Sequence, residues 1–107
     1  MTLTRDFRES VVARIRKDRA FRRSLLREGV ECLLSGDLEA GKSLLRDYIK
    51  ATAGFPELAE ATGIPAKSLI RMFGPTGNPH ARNLFLVVAH LQRTEGIRLR
   101  VRSAQAA

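Results

Sequence analysis

Apolar residues recur along this chain at helical spacing, and the pattern is interrupted by a few small or polar residues. Phe7, Val11 and Ile15 fall at i, i+4 and i+8, one face of a helix over roughly 6–17. Asp18 is placed to cap the next helix, whose stripe is Phe21, Leu25, Leu26, Val30, Leu33 and Leu34, and Ser35-Gly36 stops it. Asp37 is placed to cap a third helix, with Leu38, Leu45, Tyr48 and Ile49 inward and its charges, Lys42 among them, on the surface; Gly54 ends it.

Two shorter helices follow, at roughly 55–62 and 66–73, separated by Gly63-Ile64-Pro65. Gly74-Pro75-Thr76-Gly77 is a turn by composition. Asn78 is a good N-cap and Pro79 suits a first helical position, so the next helix is expected from there to about Arg93, with Leu84, Val87, Val88 and Leu91 inward and Gly96 as its stop. Ile97-Arg98-Leu99-Arg100-Val101-Arg102 then alternates apolar and basic residues, the period of a half-exposed strand with Ile97, Leu99 and Val101 toward the core. A lone strand leaves its backbone groups unpaired, and the simplest partner is its symmetry mate in a dimer; a strand on its own chain with solvated arginines is the other reading. The expected fold is all-α for the most part, with five to six helices and one short C-terminal β-strand. The chain of 107 residues fits a single domain of a size that often gains stability by dimerising.

Composition narrows the partners. The net charge is +8, which points to a polyanion or an anionic membrane, and no apolar run reaches transmembrane length. Residues 1–63 hold twelve Lys/Arg against ten Asp/Glu, whereas residues 64–107 hold seven against the single acid Glu95. There is no Trp and one Tyr, so stacking on single-stranded bases has little to work with. Cys32 is the only cysteine, which excludes an intrachain disulfide; its place in an apolar helical pattern makes it a small core residue before a reactive thiol. Asp6, Glu9 and Asp18 interrupt the Arg-rich N-terminus, which argues against a transit peptide and for a cytoplasmic protein.

The densest signal lies in Phe55–Gly74. Two helices that cross steeply need a small residue at their contact, which Ala59 supplies, and a turn residue that tolerates positive φ, which Gly63 supplies four positions later. Leu58, Ile64, Leu69 and Met72 are spaced to fill the wedge beneath. The opposite face of the second helix then carries Ala66, Lys67, Ser68, Ile70 and Arg71, the face that a helix-turn-helix inserts into the major groove of duplex DNA. Lys67 and Arg71 are suited to guanine edges or phosphates and Ser68 to either; Thr76, Asn78, His80 and Arg82 are suited to the DNA backbone. A purely structural helical hairpin has the same spacing, and the basic C-terminal half is what favours DNA.

From Leu58 to Leu91 the chain resembles the Cro/repressor-type helix-turn-helix. Gly77-Asn78-Pro79 followed by Ala81-Arg82-Asn83-Leu84-Phe85-Leu86-Val87-Val88-Ala89 is similar to the helix after the recognition helix in that family. The ending Gly96-Ile97-Arg98-Leu99-Arg100-Val101 narrows the likeness to the addiction-module antidote branch of HigA-like antitoxins, and Asp6–Ile15 and Leu45-Arg46-Asp47-Tyr48 resemble its longer members. The resemblance implies a homodimeric, sequence-specific DNA binder that represses its own operon, often beside a RelE/ParE-type toxin. It divides the domain into an N-terminal helical extension at 1–36, a helix-turn-helix core at 37–94 and a C-terminal strand and tail at 95–107. One position departs from the family: Pro65 stands where Ser or Thr commonly caps the recognition helix, so a backbone N–H or Ser68 must serve instead.

Competing motifs carry less. Gly36-Asp37-Leu38-Glu39-Ala40-Gly41-Lys42-Ser43 matches the P-loop pattern G-x-x-x-x-G-K-[ST], a nucleotide-binding alternative. The preceding segment reads as a helix and not a buried strand, and Asp37 and Glu39 would put carboxylates in an anion cradle. His80 and His90 have no cysteine or carboxylate at metal-ligand spacing; His80 is placed to touch a phosphate or solvent, and His90 reads as a surface or packed residue. No catalytic constellation emerges, and no enzyme, metal or cofactor is expected. A helical module that binds a toxin, with the helix-turn-helix as scaffold, is the alternative from another class.

Overall fold

The computed structural model describes residues 2–106, without the side chains of residues 2–6 and 8. The fold is all-α: α1 (Thr2–Lys17), α2 (Arg19–Leu34), α3 (Leu38–Ala51), α4 (Phe55–Thr62), α5 (Ala66–Met72) and α6 (Ala81–Glu95). Among the described residues there is no strand.

The local signals act largely as their chemistry requires. Asp18 Oδ1 accepts from the Phe21 N–H at 3.0 Å, and Asp37 Oδ1 accepts from the Ala40 N–H at 3.2 Å, each satisfying an orphan donor at a helix start. Gly54, at φ +86°, donates to the Ile49 carbonyl and closes the end of α3. Gly63, at φ +76°, ends α4 and donates to Ala59 O, and Gly96, also left-handed, ends α6.

The helices α2 and α3 lie close because two glycines face the contact. A Cβ on Gly41 would sit 2.6 Å from Leu33 Cδ2 and 3.1 Å from the Gly29 carbonyl oxygen, and one on Gly29 would sit 3.0 Å from Leu45 Cδ2. Gly41 therefore serves packing. The core joins Ile15, Leu25 and Leu26 to Leu45, Tyr48 and Ile49, then to Phe55, Leu58, Ile64, Leu69, Met72 and Phe73, and to Leu84, Val87, Val88 and Leu91. The wedge of Leu58, Ile64, Leu69 and Met72 is buried, and the Phe55 and Phe73 rings meet beside it at 6.4 Å.

Several expectations are corrected. Phe7 is 69% exposed; burial along that stripe starts at Val11 and is complete only at Ile15, so the half of α1 nearer α2 supplies its core contact. Leu34 is exposed, because it lies about 100° around the helix from Leu33, which takes the contact with Gly41. Cys32 is only half-buried. The helix α6 starts at Ala81 with His80 as N-cap; Asn78 and Pro79 form a lead-in, because Gly77 is anchored against the end of α5 and the chain must travel from there to α6. The C-terminal segment is irregular in the single chain. Ile97 and Leu99 pack on the core and the Leu99 N–H donates to Gln92 Oε1 at 2.7 Å, but Val101 is 85% exposed.

Candidate nucleic-acid interface

Burial of Leu69 and Met72 fixes which way α5 faces. Its outer side then presents Lys67, Ser68, Ile70 and Arg71, all exposed, with Ala66 half-buried at the first position. Ile70 is 54% exposed, an apolar group held in water between Lys67 and Arg71. Pro65 is the N-cap, at ψ 142°, and contributes no side-chain bond to the helix start. Beyond α5, Thr76, Asn78, His80 and Arg82 are exposed on the turn and the start of α6.

The turn is held from beneath by α3. Lys42 Nζ donates to the carbonyl oxygens of Gly74 at 3.0 Å and Gly77 at 2.8 Å, and pairs with Glu39 Oε2 at 3.2 Å. One turn further along α3, Arg46 Nη1 donates to Phe73 O at 3.2 Å. These carbonyls belong to the last turn of α5 and the loop after it, where backbone oxygens lack helical partners and carry partial negative charge. An ammonium has three donors, and here each has an acceptor, which is what allows Lys42 to be 98% hidden as its 2% exposure records. Placing Lys42 among the surface charges is thus overturned. It lies four residues after Leu38 and three before Leu45, on the apolar face itself, and that spacing was the available signal.

The letters that match a P-loop form the αL turn at Gly36, the Asp37 cap and the first turns of α3, preceded by a helix. Gly41 packs on Leu33, and Lys42 points into the α5–α6 turn.

Glu95, the only acid after residue 63, is also buried. Its carboxylate accepts from Arg22 Nε at 2.8 Å and from the Tyr48 hydroxyl, and Arg23 Nε lies 3.5 Å away. Arg23 Nη2 also donates to the Glu95 carbonyl at 3.1 Å. Burial pushes the Glu95 carboxyl up, but the hydrogen bonds from Arg22 and Tyr48 and the charges of Arg22 and Arg23 outweigh it and hold the group below its ordinary value. Burial, then the bond to Glu95, pushes the Tyr48 phenol well above its ordinary value. The exposed surface of residues 64–106 consequently carries cations and no carboxylate side chain. The nearest acids along the chain are Glu57 and Glu60, exposed on α4.

His90, half-buried, faces an open cleft of about 650 Å³ shared by Tyr48, Leu58 and Glu95, away from the exposed side of α5. No helix among the described residues is long and apolar enough to cross a membrane. Compared with known proteins, the chain matches no family model, no curated protein and no solved structure.

Proposed function

We propose that this protein is a sequence-specific duplex DNA-binding transcriptional regulator, a cytoplasmic homodimer that acts as the autorepressing antitoxin of a toxin–antitoxin module. The observation that carries the reading is the joint exposure of Lys67, Ser68, Ile70 and Arg71 on α5 and of Thr76, Asn78, His80 and Arg82 beside it, on a segment whose one carboxylate is buried and compensated. The helix α5 enters the major groove as the second element of a helix-turn-helix formed with α4. Arg71 and Lys67 meet base edges or nearby phosphates, Ile70 meets a thymine methyl, and the residues around the turn hold the backbone. Two-fold symmetry makes the operator a near-palindrome with half-sites about one helical turn, or a multiple, apart. In the dimer, Ile97–Arg102 pairs with its mate as a strand, adding backbone partners to the two that Gln92 already gives the Ile97 and Leu99 N–H groups.

Electrophoretic mobility shift with the DNA upstream of its own gene tests the reading. The expected result is a salt-sensitive complex that random duplex of equal length does not compete away. Equal affinity for both duplexes, or no shift at low salt, defeats it.

A second reading, a toxin-binding helical module with little DNA role, draws on the exposed Phe7 of α1 and Leu34 of α2, apolar side chains that a partner would cover. A neighbouring reading frame for a small basic toxin, together with a failed mobility shift, favours it.

A further inference from the structure

We infer that Lys42 is a positioning residue for DNA binding: buried under the α5–α6 turn, it holds the loop carrying Thr76 and Asn78 in the geometry that grips the DNA backbone. The inference rests on the DNA-binding reading of the exposed face and adds to it a residue that touches no DNA.

The argument starts from what an ammonium requires. Removing it from water is costly unless each N–H finds an acceptor. Lys42 meets that requirement with Gly74 O, Gly77 O and Glu39 Oε2, and two of those three acceptors are backbone atoms of one turn. The same turn closes on itself, since the Gly77 N–H donates to Gly74 O at 3.1 Å. Gly74 O thus accepts from both the Gly77 amide and Lys42. Gly77 is pressed against the end of α5 so closely that a Cβ would overlap the Arg71 carbonyl oxygen and lie 2.7 Å from that of Met72. A turn this tight presents its carbonyls inward, and a single cation from α3 satisfies two of them. Pro75, Thr76 and Asn78 are exposed between and just after the clamped carbonyls, and Thr76 and Asn78 are the two among them with polar side chains. The α5 residues Lys67 and Arg71 are oriented instead by the burial of Leu69 and Met72. Lys42 should therefore govern backbone grip and leave base preference alone.

The test is Lys42→Met in the full chain, with operator and random duplex titrated side by side. With helix content unchanged by circular dichroism, affinity for both duplexes is expected to fall together by about tenfold, with their ratio kept. Val30→Ala, a half-buried change on α2, a helix that among the described residues sends no hydrogen bond to the turn, should lower the melting temperature yet leave affinity unchanged below it. A folded Lys42→Met protein that binds like wild type overturns the inference, and so does an equal loss in Val30→Ala or a collapse of the ratio. If Lys42→Met does not fold, Lys42→Gln replaces it with the same expected and overturning results. A readout free of DNA accompanies these. In the wild-type protein the Lys42 ammonium protons, alone among those of the four lysines, should exchange slowly enough to be seen by NMR. The Gly77 amide should be protected, and lose protection in the variant. Fast exchange at both sites in wild type removes the clamp. A wild-type protein that shifts no duplex defeats the DNA reading instead, and the exchange data then judge the clamp by themselves.

Discussion

Lys42 and Glu95 are the two charged side chains that the described residues bury, and they are compensated in opposite ways. Glu95 sits among groups of opposite charge or strong donors: two guanidiniums from α2 and a phenol from α3. Lys42 sits mainly among neutral carbonyls of a turn, with one carboxylate, Glu39, that is itself largely in water. The first arrangement ties three helices through their side chains and so contributes to the stability of the whole domain. The second ties a side chain to backbone and so fixes the shape of one loop. A buried charge does not by itself reveal its role; the kind of atom that answers it does.

The sharpest way to separate the two is by stability. Glu95→Ala leaves Arg22 and Arg23 partly buried without their carboxylate and is expected to cost about 3–5 kcal/mol, read from the denaturant midpoint. A loss below 1 kcal/mol would remove the contrast. Gly77→Ala forces the turn off the end of α5 and should cost about 1–3 kcal/mol while weakening DNA binding more than Glu95→Ala does at a temperature where both are folded. Arg71→Ala touches neither buried charge; it should leave the melting temperature unchanged and cost about 1–3 kcal/mol of discrimination between operator and random duplex, by competition titration. Tyr48→Phe withdraws one donor from Glu95 and should cost about 1 kcal/mol, with duplex affinity intact.

The smallest effect is the pH dependence. The Glu95 carboxyl is held below its ordinary value of 4.5 in the folded protein. Its stabilisation is therefore complete above that value and is lost as the pH falls through the folded one. Acid titration of stability should fall less steeply in Glu95→Gln than in wild type. Identical slopes would mean that Glu95 gains nothing from its partners.

Helix order and the wedge under α5 were legible because each rests on contacts near in sequence. Asp18 and Asp37 cap helices three residues away, and Leu58, Ile64, Leu69 and Met72 are brought together by one turn. What escaped was decided by distant partners. The start of α6 shifted past Asn78 and Pro79 because Gly77 is seated against α5 and tied by a lysine 35 positions earlier. Glu95 could be counted as the only acid of its half, but its partners Arg22 and Tyr48 lie 73 and 47 positions away. Lys42 was an exception in part. Its helical position already places it on the apolar face, but the acceptors that let an ammonium stay there, Gly74 O and Gly77 O, lie more than thirty positions away. The exposed side of α5 follows from burial of the other side, so those candidate residues were identifiable as soon as Leu69 and Met72 were assigned to the wedge.

The helix α3 also works as a ruler. Lys42 and Tyr48 are six residues apart, which sets them about 9 Å apart along the axis and about 120° apart around it. One end meets the loop after α5 and the other meets the last turn of α6. A single residue inserted between them would turn one contact about 100° out of phase with the other. Length changes in α3 should therefore be far less tolerated than substitutions on its outer face, and the spacing of these two side chains is a constraint on the gene that no single position carries.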